Sequence, residues 1–292
     1  MKHLLTSLLF ALPCAHAATT FLGTVDTNFN NAANWDSGLP TNTTGAGTIA
    51  AGKTAVMTGN YLMSNDNAIS VTDIHVEGSL TTGANTLQML SGTVTRNPDL
   101  WIDGGTFTVS NGGEIYTAGA AADTFINGGG SMIIESGGSI RIQKAVEVLN
   151  GSLTFAAGAV YTGTLQDELV VGSSGTLAFG FDASFNHLVV PGSSLQMELA
   201  PTSTLDLTFA TAPTSYSSFT LVTDVSGFTL VGGSGTGVFG NINVTGLGAG
   251  QSVVVDYGTT TAGELAITIV PEPSPWWLGL AGGGLFFVRR RR

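Results

Sequence analysis

Short segments that begin with glycine recur along the middle of the chain. The glycines that open the clearest copies are Gly105, Gly129, Gly151 and Gly175, at intervals of 24, 22 and 24 residues. Within a copy, apolar and polar residues alternate, as they do over residues 106–109. Such alternation over short runs is typical of half-buried β-strands. A fixed period in the low twenties with the same turn residue predicts a solenoid, in which each coil stacks its apolar side on the next.

The repeats predict an all-β chain with a right-handed parallel β-helix or solenoid-like body of about six coils and a C-terminal β cap. We place the repeats at 73–183, after an N-terminal cap and first strands at 18–72 and before a C-terminal β region at 184–269. A separate small β-sandwich remains the alternative for 184–269, because its strand-like runs lose the period. The repeat spacing also predicts one interior column formed by Phe107, Ile133, Leu153 and Leu177.

The charge of the chain is acidic and unevenly placed. The formal net charge is −11, and charged residues make up only 10% of the chain. Between Ala18 and Val270, four basic residues face nineteen acidic ones, a balance of −15. The scarcity of Glu, Lys and Arg disfavours a coiled coil. Because such a body repels phosphate and anionic surfaces, we expect no nucleic-acid partner and a soluble exported domain.

The N-terminus has the layout of a secretory signal peptide over residues 1–17. Lys2 supplies a positive start, Leu4–Leu12 is a short apolar run, and Ala15 and Ala17 offer small residues at a cleavage site. A segment of this length and order is typical of an export signal. The single cysteine, Cys14, would leave with it, so the mature protein would have neither disulfides nor thiol chemistry.

The last residues, 270–292, form a three-part tail. Val270–Pro275 is proline-rich, Trp276–Val288 carries no charge, and Arg289–Arg292 is a basic stop. Thirteen apolar residues span about 20 Å as a helix, less than a hydrocarbon core of about 30 Å. We therefore predict a short apolar helix with the body outside the membrane and the arginines Arg289, Arg290, Arg291 and Arg292 on the cytoplasmic side.

This tail resembles the PEP-CTERM sorting domain of exported Gram-negative bacterial proteins. Pro271, Glu272 and Pro273 match the Pro-Glu-Pro motif, and the apolar run and arginines follow in the same order. The resemblance implies recognition by an exosortase-like membrane enzyme, a precursor held transiently in the inner membrane, and delivery to the cell surface or the extracellular matrix. Cleavage of the tail and its retention as an anchor both stay open. The resemblance does not extend to the body, whose β-helix-like pattern rests on the repeats.

The sequence offers little that is typical of catalysis. The spacing of its histidines fits no common zinc motif, and no phosphate loop or nucleophile elbow occurs. The best candidates for chemistry are the carboxylate pairs Asp167/Glu168 and Asp99/Asp103, and Arg141 or Lys144 used with Asp123 or Glu147 in the manner of a polysaccharide lyase. We expect no catalytic residue, no metal and no cofactor.

The sequence is therefore compatible with two functions. The first is an exported structural or adhesive protein of the cell surface or matrix, with exopolysaccharide as a candidate partner. The alternative is a carbohydrate-binding or polysaccharide-degrading protein on the same scaffold. A groove lined by Trp101 and Tyr116 beside carboxylates would favour the alternative, because aromatic faces stack on sugars.

Overall fold

The computed structural model describes residues 18–41, 45–65, 73–91, 98–118, 122–158, 164–185, 187, 189–232, 235–260 and 262–272. These residues are all-β, and the one helical element in them is a short 3-10 helix at Ala32–Asn34. No helix among them has the length and apolarity needed to cross a bilayer. The predicted signal peptide with Ala15 and Ala17, and the tail from Pro273 to Arg292, lie outside the described residues.

Within the described ranges the chain forms twenty-one strands. They are β1 (Thr19–Phe21), β2 (Gly47–Ile49), β3 (Thr54–Val56), β4 (Tyr61–Asn65), β5 (Ile74–Val76), β6 (Ser79–Thr81), β7 (Thr86–Ser91), β8 (Leu100–Asp103), β9 (Thr106–Val109), β10 (Glu114–Ala118), β11 (Thr124–Asn127), β12 (Gly130–Ile134), β13 (Ser139–Ile142), β14 (Val146–Phe155), β15 (Leu165–Phe181), β16 (Val190–Leu199), β17 (Thr204–Phe209), β18 (Ser218–Leu230), β19 (Asn241–Thr245), β20 (Gln251–Tyr257) and β21 (Leu265–Pro271).

Strands β1 to β19 stack in parallel as a β-solenoid of about seven coils, and each coil has three faces. Face 1 is formed by β1, β2, β5, β8, β11 and parts of β14, β15, β16 and β18. Face 2 contains β3, β6, β9, β12, the ends of β14 and β15, β17 and β19. Face 3 contains β4, β7, β10, β13 and the starts of β15, β16 and β18. The predicted parallel solenoid is therefore confirmed.

The interior is filled by columns of apolar side chains in register. Phe107, Leu153 and Leu177 lie in one buried column, as the repeat predicts, but the residue between Phe107 and Leu153 is Met132. The prediction that Ile133 belongs to this column is wrong, because its side chain points outward on face 2, in register with Thr108 and Thr154. Since successive strand residues face opposite sides, a register error of one residue reverses the side chain.

The error arises at a run of three glycines. Gly130, and not Gly129, pairs with Gly151, while Gly129 lies in the preceding turn with a positive φ of 84°. The glycine column thus runs through Gly105, Gly130, Gly151 and Gly175, which are 25, 21 and 24 residues apart.

The ends of the stack differ from each other. At the N-terminal end, Trp35 is 4% exposed and packs edge-on against Phe21 and Phe29. Its indole N–H donates to the carbonyl oxygen of Phe29 over 2.9 Å. At the C-terminal end, the parallel ladder continues to β19. Of the strands named above, β20 and β21 alone run antiparallel, and they add to the start of β18 on face 3.

Candidate functional site

A groove on face 3 is the first candidate site. Leu62, Gln88, Tyr116 and Arg141 are aligned on the outer side of β4, β7, β10 and β13. Together with their neighbours they enclose about 290 Å³. The full lining is Asn60, Tyr61, Leu62, Thr86, Gln88, Glu114, Tyr116 and Arg141.

Arg141 lies at the β13 end of this groove. Its Nη2 lies 3.1 Å from Oε1 of Glu114, and its guanidinium carbon lies 3.9 Å from the ring centroid of Tyr116. One face of the tyrosine ring is therefore covered by a cation. The side chain of Arg141 is still 45% exposed, so it can contact an acidic or hydroxyl-bearing ligand. Glu114 has no signal in the sequence that marks it as a site residue, because the register of adjacent coils is what brings it beside Arg141.

Lys144 and Arg141 form ion pairs with different carboxylates and do not share a site. The Nζ of Lys144 lies 2.9 Å from Oδ2 of Asp167, which leaves the alignment of β15 at a bulge and has a positive φ of 64°. Asp123 and Glu147 border face 1, whereas Arg141 is on face 3. Arg141 therefore has Glu114, rather than Asp123 or Glu147, as its carboxylate partner.

Face 1 carries an outer stack of three rings. The ring of Trp101 lies between His75 and Phe125, with centroid distances of 5.9 and 4.0 Å and interplanar angles of 10° and 19°. His75 is held in addition by Asp103, whose Oδ2 lies 3.1 Å from its Nδ1. Both faces of the Trp101 indole are thus covered by neighbouring coils. Trp101 on face 1 and Tyr116 on face 3 do not line a common groove.

Three glutamates follow the ring stack on face 1. Glu147 is in register with Phe125 of the preceding coil and with Val170 of the next coil. Glu198 is in register with Val170 from the coil after that, and Glu168 precedes Val170 by two residues on β15. Burial, with repulsion from Asp123 and Glu198, raises the pKa of Glu147. Burial also raises the pKa of Glu168, together with repulsion by and hydrogen bonding to Glu198. The described residues contain no group of three or more His, Cys, Asp or Glu side chains arranged to hold a metal ion.

Three aspartates form a ladder at the corner that precedes face 1. Oδ1 of Asp73 accepts the backbone N–H of Asp99 over 3.1 Å, and Oδ1 of Asp99 accepts that of Asp123 over 3.0 Å. Oδ1 of Asp123 in turn accepts the N–H of Ala145 over 3.2 Å. Burial raises the pKa of Asp73 and Asp123, and raises that of Asp99 to about 7. Each carboxyl therefore satisfies a backbone donor of the next coil, which is a structural role.

The start of the predicted sorting motif is the last described part of the chain. Pro271 ends β21 opposite Gln251, and the N–H of Glu272 donates to the carbonyl oxygen of Gly250 over 2.8 Å. Both motif residues are exposed. Pro273 and the four arginines lie beyond the described residues, so the structure places only the first two residues of the motif.

The candidate sites are thus of three kinds: the open groove on face 3, the outer side chains of face 1 that contact one another between coils, and the exposed residues Pro271 and Glu272 at the start of the tail. Comparison with known proteins adds no assignment: no family model matches the chain, and neither a curated protein nor a solved structure matches it.

Proposed function

We propose that this protein is an exported structural or adhesive component of the cell surface or extracellular matrix. Its Pro-Glu-Pro, apolar and arginine tail would direct it to an exosortase-like enzyme of the inner membrane. The observation that carries this proposal is the exit of the tail: Pro271 and Glu272 are exposed at the end of the last strand of a stacked β body. An enzyme in the membrane could reach such a motif without unfolding the solenoid.

The body supports a structural role through its regularity. Its parallel ladders run from Thr19 to Thr245 on three faces, and outer side chains pair with those of adjacent coils, as Trp101 does with Phe125. Such stacking joins each coil to its two neighbours along one axis and stabilises the body without a separate core. We take its coil to be right-handed, because parallel crossover connections are right-handed in nearly all proteins.

Residues 1–17 would act as the signal peptide, with cleavage after Ala17, and Trp276–Val288 as a short apolar helix that halts export. The precursor would then sit with its acidic body outside the inner membrane and Arg289–Arg292 inside. Processing at the motif would release or transfer the body to the surface.

The test is mass spectrometry of surface material from a host that contains the sorting enzyme. We expect a mature chain that begins after Ala17 and ends near Pro271–Pro273. Glu272→Gln, combined with replacement of both prolines, should leave a membrane-retained precursor. Glu135→Gln, an exposed carboxylate in a turn of the solenoid, is the matched control and should be processed normally. A mature surface protein that still ends in Arg292 would contradict the sorting role.

The groove on face 3 supports a second candidate, carbohydrate binding without turnover. Arg141, Glu114 and Gln88 offer donors and acceptors in an open depression, which suits an acidic or hydroxylated polysaccharide. Binding to exopolysaccharide should weaken in Arg141→Ala and persist in Lys53→Ala, whose side chain is exposed elsewhere. We expect no depolymerisation of polysaccharide by the purified protein, with or without calcium. Turnover that is lost in Arg141→Ala or Lys144→Ala would establish an enzyme instead.

A further inference from the structure

The C-terminal end of the solenoid carries an uncharged surface around the point where the tail leaves. Two loops form it, residues 212–216 between β17 and β18, and residues 246–250 between β19 and β20. We propose that this surface, called here the exit surface, docks on the lipid bilayer while the tail is in the membrane. The proposal rests on the membrane role of the tail given above and adds a lipid contact made by the folded body.

Gln251 joins the two loops to the tail. Its Nε2 donates to the carbonyl oxygen of Pro213 over 2.8 Å and lies 3.2 Å from Oγ of Ser215. Its Oε1 accepts the N–H of Gly248 over 2.7 Å. Because Gln251 also pairs with Pro271, both loops are fixed beside the residue from which the tail departs.

The chain leaves little length between this surface and the apolar run. Trp276 is four residues beyond Glu272, and four residues span at most about 14 Å when fully extended. If Trp276 lies at the membrane interface, the exit surface is held within this distance of it. A body on so short a tether meets the lipid headgroups with whatever surface surrounds the exit.

That surface lacks the charge of the rest of the body. Residues 207–223 and 225–255 contain no Asp, Glu, Lys or Arg, although the segment from Ala18 to Val270 has a balance of −15. One carboxylate, that of Glu272, is at the exit itself, and Asp182 lies one coil back beside Ala183, whose carbonyl oxygen accepts a hydrogen bond from Thr211. Since anionic surfaces repel acidic proteins, an uncharged end is the part of this body that can approach lipid at low electrostatic cost.

Tyr216 is suited to anchor the exit surface in the lipid headgroup region. Its side chain is 75% exposed, and its backbone has a positive φ of 69°. Its N–H donates to the carbonyl oxygen of Ile269 over 2.6 Å, which fixes the loop to β21. Tyrosine is enriched at membrane–water interfaces because its ring is apolar and its hydroxyl is polar. An exposed tyrosine beside a membrane-directed tail therefore fits the headgroup region.

The test uses the full chain in vesicles of phosphatidylcholine with one-fifth phosphatidylglycerol. Single-cysteine variants in a Cys14→Ser background carry a fluorophore at Tyr216→Cys, Ala249→Cys, Ser274→Cys or Glu135→Cys, and quenchers are attached to the lipid. We expect strong quenching at 216, 249 and 274, and none at 135. Tyr216→Asp should reduce the quenching of the label at 249 at least twofold without changing that at 274.

The outcomes separate the two proposals. Quenching at 274 without quenching at 216 and 249 overturns the docking surface and leaves the tail in the membrane. Absence of quenching at 274 overturns the membrane role of the tail, and the docking surface is overturned with it. Two probes are used because a label at 216 replaces the anchor itself.

Discussion

The carbonyl oxygen of Gly130 lies so close to Gly151 that it leaves no room for a side chain there. A Cβ atom built on Gly151 would be 2.3 Å from that oxygen. The same relationship recurs at Gly105 with the carbonyl of Gly78 and at Gly175 with that of Val148. The glycine column is therefore required by the close approach of successive coils at one corner, and this constraint sets the repeat.

Gly151→Ala should destabilise the solenoid by about 1–3 kcal/mol, the usual cost of forcing an extra methyl group into a packed site. The backbone carbonyl cannot move aside without disturbing the adjacent coil. Gly59→Ala is the matched control, because the nearest atom to its Cβ is a side-chain nitrogen 4.0 Å away. Urea denaturation followed by circular dichroism measures both. Equal stability of the two variants would show that the corner tolerates a side chain.

The repeat reveals the fold class because its two signals, alternation and turn glycines, are local. The exact register is not local, since three consecutive glycines at Gly128–Gly130 offer several alignments. Only the pairing of Gly130 with Gly151 selects one. For the same reason, the sequence does not predict that the parallel ladder continues through β16–β19. Loops of unequal length disrupt the sequence period there, but the strands still stack.

Met132→Ala and Ile133→Ala form a direct test of this register. Met132 is fully buried between Phe107 and Leu153, so its truncation should cost about 2–5 kcal/mol. Ile133 is on the outer side, and its truncation should cost less than about 1 kcal/mol. The difference in the free energy of unfolding between the two variants is the measurement. The reverse order would place Ile133 inside and refute the register.

The aspartate ladder makes stability depend on pH. Burial raises the pKa of Asp99 to about 7 from an ordinary value of 3.8, so between these values the folded chain holds a proton that the unfolded chain has lost. Between about pH 4 and about pH 7, unfolding therefore releases this proton. Because the folded state binds the proton more tightly than the unfolded state, the free energy of unfolding falls as the pH rises from about 4 to about 7. The melting temperature should therefore be higher at pH 5 than at pH 8.

Asp99→Asn should remove part of this dependence. The amide keeps the oxygen that accepts the N–H of Asp123 but cannot ionise. We expect a higher melting temperature than that of the natural chain at pH 8 and a smaller difference at pH 5. Glu135→Gln, in an exposed turn, serves as the control and should leave the pH profile unchanged. A steeper profile in Asp99→Asn would contradict the ladder's role.

The candidate sites were less accessible to sequence analysis than the fold. Arg141 and Glu114 are 27 residues apart and meet only because β10 and β13 are adjacent in register. Trp101 and Tyr116 are close in sequence, yet the chain turns two corners between them, so they lie on different faces. On a solenoid, each outer residue contacts the coils before and after it, so sequence distance says little about contact until the register is known.

Neutralising Arg289–Arg292 by substitution with glutamine should prevent normal processing of the tail. On insertion scales each arginine costs about 2.5–3.5 kcal/mol at the membrane centre, so the natural cluster stops export after the apolar run. Without it, the chain should slip through or insert wrongly, which takes Pro271–Pro273 out of reach of the enzyme. Lys53→Gln, in the exposed part of the body, is the control for loss of one positive charge. Immunoblots of membrane, surface and medium fractions should show unprocessed chain only in the arginine variant. Normal processing of that variant would mean that the apolar run alone halts export.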